Sequence, residues 1–62
     1  MLDFFGQTLC IGDRVAFVGN NNLLISGQIV EFRHEEPRRV AGIWTDGKRL
    51  TFKPSAQIVR QP

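Results

Sequence analysis

Apolar residues in this chain come in short runs separated by Gly, Asn, Asp and Pro, the pattern of strands and turns rather than of helices. Met1 to Leu9 opens with Leu2, Phe4 and Phe5 and turns at Gly6-Gln7, which predicts an N-terminal arm over residues 1–9 covering one open end of a core. Ile11-Gly12-Asp13 reads as a turn, and Arg14 to Val18 as a strand with Val15 and Phe17 on its core face. Gly19-Asn20-Asn21-Asn22 reads as a loop, because Gly and Asn tolerate the left-handed backbone region. Leu23 to Arg33 predicts a long strand, with Gly27 marking a bulge or bend. Ile29 and Phe32 both point inward only if that strand coils between them, as a strand shared by two sheets does. His34 to Arg39 reads as a charged connection in which Pro37 removes a backbone donor.

Val40 to Thr45 and Lys48 to Phe52 predict a central hairpin reversed at Asp46-Gly47, the strongest short-range hairpin signal. Lys53 to Gln57 predicts one helical turn started by Pro54, and Ile58 to Arg60 a last strand. The sum is an all-β chain of five strands with a single helical turn.

Sixty-two residues make one domain, near the lower limit for folding alone and too small for both a core and a deep cleft. A hydrophobic content of 42% is that of a folded domain. Cys10 is the only cysteine, which excludes an internal disulfide and a multi-cysteine zinc site and fits a reducing compartment. No apolar run reaches the length of a membrane span, and the start of the chain lacks a signal-peptide pattern. The expectation is a cytoplasmic protein with no membrane association. The net charge of +2 is uneven: residues 1–32 set Arg14 against Asp3, Asp13 and Glu31, for −2. Residues 33–62 set seven Lys or Arg against Glu35, Glu36 and Asp46, for +4. A mild excess of this kind permits an acidic partner without demanding one.

The element order resembles that of the small SH3-like barrels, including the KOW domains. Gly12-Asp13-Arg14-Val15, Gly19 and Gly27-Gln28-Ile29 match the KOW pattern of a Gly-Asp turn, an alternating strand, a loop and Gly-x-hydrophobic. Trp44-Thr45-Asp46-Gly47, then Phe52-Lys53-Pro54 and Ile58-Val59, is similar to the Trp-x-Asp-Gly hairpins of short bacterial and phage-encoded SH3-like proteins. Tudor-type modules carry similar hairpins. The resemblance spans about residues 8–60. It implies a five-stranded, strongly bent antiparallel SH3-like barrel, with one short 3-10 turn before the last strand, as a single domain over residues 1–62. It also implies a host-cytoplasmic location for a phage-encoded protein, and a fold rather than an activity. KOW domains that contact RNA or RNA polymerase carry Gly and Lys in the first loop, where this chain has Asn20 to Leu24. An uncharged loop offers phosphate only the hydrogen bonds of its amides.

Catalysis needs a nucleophile or an acid-base pair in a water-excluding pocket, and the candidates are Cys10, His34 and scattered carboxylates. His34 is expected at the surface and Cys10 as a small buried apolar residue. His34-Glu35-Glu36 lacks metal-ligand geometry, because strand neighbours point to opposite faces. The chain therefore reads as a non-catalytic module without cofactor or metal.

Its candidate binding residues are Arg33, Arg38, Arg39, Trp44, Lys48, Arg49 and Leu24. The basic side chains flank two loops that a barrel can join into one cationic rim, or they form an ordinary solvated surface. Leu24 alternates away from Leu23 and Ile25 and is expected outside, where with Leu2, Phe4 or Phe5 it would make a partner or self-association patch. Trp44 has two registers. With Asp46-Gly47 as a two-residue loop, Ala41, Ile43, Leu50 and Phe52 form the core and Trp44 lies outside. It then stacks on Arg49 or serves as a platform. With Thr45-Asp46-Gly47 as a three-residue loop, Trp44 faces Lys48 and joins Val40, Leu50 and Phe52 inside. The second register is favoured, because it sets Val40, Gly42 and Trp44 as a large-small-large inward series and the similar hairpins half-bury that ring.

The leading expectation is recognition of a larger protein partner. RNA or DNA binding through the arginines and lysines is the alternative, and a structural role in a virion or complex the second. The expected state is a monomer or a weak homo-oligomer paired through edge strands.

Overall fold

A computed structural model describes residues 1–35 and 38–62. Arg14–Val18 forms β1, Leu24–Glu35 β2, Arg38–Thr45 β3, Leu50–Pro54 β4 and Val59–Arg60 β5. All neighbours pair antiparallel in one sheet of order β4-β3-β2-β1-β5. A 3-10 turn over Ser55–Gln57 precedes β5. This is the all-β, five-stranded antiparallel fold with one 3-10 turn before its last strand that the apolar pattern predicts.

β2 is the shared strand: its first half pairs with β1 from Leu24 to Gln28, and Gly27 to Glu35 pairs with β3. The register shifts between Ile29 and Glu31, which leaves Val30 as an extra residue opposite β3. The shift lets Ile29, paired with Ile43, and Phe32, paired with Ala41, both face the core. The bulge thus falls at Val30 rather than at Gly27. Gly27 has a different task, which is close approach of two backbones. A β-carbon there would stand 2.6 Å from the Trp44 carbonyl oxygen, 2.7 Å from Ile43 Cγ2 and 2.8 Å from Thr45 Cα.

The core comprises Leu9, Val15, Phe17, Ile29, Ala41, Ile43 and Ile58, with Met1, Ile25 and Phe32 packed against it. Val15 and Phe17 hold the places expected of them. The Asn loop forms a further 3-10 turn over Asn20–Asn22, in which Asn21 and Asn22 sit at φ 64° and 57°. Asn takes that left-handed conformation more readily than other non-glycine residues. β2 and β3 extend farther into the predicted charged connection than expected, so His34 and Arg39 are paired strand residues rather than loop residues. The remainder of that connection, Glu36 and Pro37, lies outside the described residues.

Cys10 is exposed, against expectation. It opens a tight turn in which Asp13 N–H donates to the Cys10 carbonyl at 3.0 Å and Cys10 N–H donates to Asp13 Oδ2 at 2.8 Å. Its neighbour Leu9 takes the inward position.

The N-terminal arm is a small hairpin, closed by a bridge between Leu2 and Thr8. It contributes Leu9 to the core and also lies along the free edge of β5. Phe4 N–H donates to the Ile58 carbonyl at 2.7 Å, and Arg60 N–H donates to Asp3 Oδ2 at 2.8 Å. With β5 covered, β4 is the open edge of the sheet among the described residues.

Candidate functional site

The central hairpin settles the side of Trp44. Thr45 N–H donates to the Arg49 carbonyl at 2.9 Å and Lys48 N–H to the Thr45 carbonyl at 2.9 Å, so the loop is Asp46-Gly47-Lys48. It has three residues, as the favoured register requires, but it lies one position later. Lys48 takes the left-handed conformation at φ 61°. A turn followed by a left-handed residue is the usual form of a three-residue hairpin loop. Trp44 therefore faces Leu50, Gly42 faces Phe52 and Val40 faces Pro54.

Trp44, Leu50 and Phe52 do share one face, but it is the outer one; of the series expected inside, Val40 at the start of β3 is buried as expected. Trp44 is 49% exposed and Leu50 44%, while Ala41 and Ile43 carry the core. The favoured inward placement of Trp44, Leu50 and Phe52 is corrected by that one-position shift, since alternation sends adjacent residues to opposite faces. Leu50 and Phe52 also fail the two-residue reading, which put them inside.

The outer face is an apolar platform with a polar border. The Phe52 ring lies over Gly42, where an added β-carbon would be 2.9 Å from Phe52 Cε1 and 2.7 Å from Glu31 Cγ. Only glycine leaves that space. Arg33 covers the ring, its guanidinium carbon 4.4 Å from the centroid, and its Nη2 donates to Glu31 Oε1 at 2.9 Å. This ion pair is exposed and contributes little to stability, but the stacked guanidinium extends the flat surface.

At the hairpin tip, Asp46 N–H donates to the Ser26 carbonyl at 3.0 Å and Asp46 Oδ2 accepts from Arg14 Nη2 at 2.8 Å, which ties the loop to β2 and β1. A shallow hollow forms between Leu24, Ile25, Ser26, Thr45, Asp46 and Arg49. Leu24 is 70% exposed on its rim, outside as expected, and Leu23 is exposed as well. Leu24 pairs with the exposed Val18, and Val18 lines a second hollow with Phe4 and Val59. Leu24 and Phe4 thus line separate hollows, with Val18 paired to Leu24 and lining the hollow of Phe4. Phe4 and Phe5 stack edge to face with centroids 5.2 Å apart.

The cationic side chains do not form one rim. Lys48 and Arg49 stand at the end of β3, whereas Arg38 and Arg39 stand at its start, roughly 20 Å away at strand rise. Arg38 and Arg39 line a separate hollow with Met1, Leu2 and Pro54. Consecutive hairpins turn at opposite ends of their shared strand, and that geometry separates the two groups.

Sequence reasoning missed Asp3. It is buried, and Oδ1 accepts from the N–H groups of Phe5 at 2.9 Å and Gln7 at 2.8 Å, while Oδ2 accepts from Arg60 N–H. Burial opposes its charge, but the backbone donors of Arg60, Gln7 and Phe5 and the Arg60 charge outweigh that cost and hold its pKa below the ordinary value of 3.8. The one sequence signal was an Asp immediately before an aromatic pair and Gly6, a turn-forming context. Among the described residues, no three His, Cys, Asp or Glu side chains group as metal ligands, and no helix is long and apolar enough to cross a membrane.

These features define a small antiparallel β domain whose distinctive chemistry lies on its surface, an aromatic and aliphatic platform bordered by arginine. The chain belongs to the family described as a domain of unknown function, DUF7205, whose profile matches residues 1–59 and so takes in the arm along with the strands. No curated protein and no solved structure matches it.

Proposed function

We propose that this domain is a non-catalytic recognition module that docks on a larger protein through the outer face of its central hairpin. The observation that carries the reading is the exposed Trp44–Leu50 cross-strand pair, continued by Phe52 under Arg33. Aromatic and arginine side chains are the residues that dominate protein interfaces. In a domain this short of core, an exposed indole is burial left unused for folding. The resemblance to short phage-encoded SH3-like proteins supports a partner in the host or the phage. The separation of Arg38 and Arg39 from Lys48 and Arg49 disfavours a continuous phosphate track, and hence the nucleic-acid alternative.

The test is capture of partners from native extract with and without nuclease, using the wild-type chain, Trp44→Ala, Trp44→Phe and Leu24→Ser. Half of the indole area is already exposed, so Trp44→Ala costs about 2 kcal/mol at most by area and the variant remains folded, which far-UV circular dichroism checks. The expected result is a nuclease-resistant protein partner lost with Trp44→Ala and recovered with Trp44→Phe. Capture that ignores Trp44, or recovery of nucleic acid alone, overturns the reading.

A further inference from the structure

We infer that the open edge of β4 binds an extended segment of a partner protein by strand addition, and that this segment carries acidic residues flanking an apolar-x-apolar centre. The inference rests on the recognition reading and specifies its mode.

Three observations converge on this edge. The first is hydrogen-bond parity. Thr45 and Arg49 are a bonded pair, so alternation makes Ile43–Thr51 and Ala41–Lys53 the next bonded pairs of the ladder. The N–H and C=O groups of Leu50 and Phe52 then point away from β3, toward the open side. Pro54 is next in that series, where its missing N–H removes nothing from the ladder with β3. The second is that the opposite edge is occupied, with Asp3 and Phe4 bonded along β5. An added strand has β4 as its template.

The third is charge, and it selects the occupant. Leu50 and Phe52 face the outer platform, whereas Arg49, Thr51 and Lys53 alternate to the other face. Lys53 Nζ lies 5.5 Å from the Phe17 ring at the margin of the core. A second copy pairing antiparallel through Leu50 and Phe52 would set Arg49 of each molecule against Lys53 of the other, two like-charge contacts directly opposed. A strand with Glu or Asp at those two places would replace both repulsions by attractions. Its central apolar residues would lie beside Leu50 and Phe52 and extend the Trp44 platform by one strand.

The probe is the capped peptide Glu-Val-Thr-Val-Glu, compared with Lys-Val-Thr-Val-Lys and with the acidic peptide N-methylated at both valines. Amide hydrogen exchange of the intact chain is the readout. At ten times its Kd the acidic peptide should slow exchange at Leu50 and Phe52 about tenfold, and neither control should. Arg49→Glu should weaken the acidic peptide and favour the basic one. Equal binding of the basic or N-methylated peptide, or binding without protection of Leu50 and Phe52, overturns strand addition. Protection that rises with protein concentration alone places a second copy on the edge and also overturns it. A partner captured through Trp44 with unprotected β4 amides would sink this inference and leave the recognition reading standing.

Discussion

Gly47 and Lys48 make opposite predictions for the two possible hairpin loops, and the structure assigns each a sign. In a two-residue Asp-Gly turn, Gly47 has positive φ and any side chain there is strained by about 1–2 kcal/mol. In the observed loop the left-handed position belongs to Lys48 at φ 61°, and Gly47 lies outside that region. A β-carbon on Gly47 would meet Thr45 Oγ1 at 3.8 Å, an ordinary contact. Gly47→Ala should therefore stabilise by about 0.4–1 kcal/mol, because it restricts the unfolded chain without straining the folded one. Lys48→Gly relieves the left-handed strain but adds unfolded-state freedom, for a net gain of about 0.5–1 kcal/mol.

These are sizeable shifts for a domain whose core supplies roughly 3–5 kcal/mol. At about 1 kcal/mol per molar urea, each variant should raise the unfolding midpoint by about 0.5–1 M. Far-UV circular dichroism is the primary probe, with Trp44 emission as a second one on the hairpin itself. The two residues are adjacent, so the double variant need not equal the sum. A midpoint for Gly47→Ala lowered by about 1 M or more would return the loop to two residues and reverse every facing assignment beyond it.

Gly27→Ala should cost more than about 2 kcal/mol, beyond ordinary overpacking, because two of the three atoms it meets belong to the β3 backbone. Urea unfolding reads it, and a near-wild-type midpoint would show that β2 and β3 can separate there. Asp3 links stability to pH with a definite sign. Its folded pKa is depressed, so its contribution is fully present above 3.8 and is lost as pH falls through the folded value. Thermal melts from neutral to acid pH should therefore show a downward step that Asp3→Asn abolishes, with the variant less stable at neutral pH because its amide faces N–H donors. A step of unchanged size in Asp3→Asn would assign the acid sensitivity to other carboxylates.

Element order was legible because each strand carries its own alternation and each turn its own Gly, Asn, Asp or Pro. Which face those strands turn inward was not, and the reason is physical. Parity passes along a hairpin through its loop, and Asp46-Gly47-Lys48 supports a two-residue or a three-residue reversal by composition alone. What decides is distant in sequence: Asp46 bonded to Ser26 and Arg14, and Gly27 nested against Trp44 and Thr45. The same holds for the arm, whose Asp3 meets Arg60 at the far end of the chain; the bulge at Val30 is signalled by the three-residue spacing of Ile29 and Phe32, which requires the strand to coil between them, while its exact position is not.

Arg33, Leu24 and Trp44 could be named as candidates, yet their grouping depended on that undecided parity. Moving the loop by one position turns Trp44, Leu50 and Phe52 from a core into a platform and leaves Ala41 and Ile43 to fill the interior. It also fixes which amides of β4 face outward, since the bonded pairs alternate from the same Thr45–Arg49 closure. The exposed platform and the open edge beside it therefore have one structural cause, the three-residue loop that places Lys48 in the left-handed region.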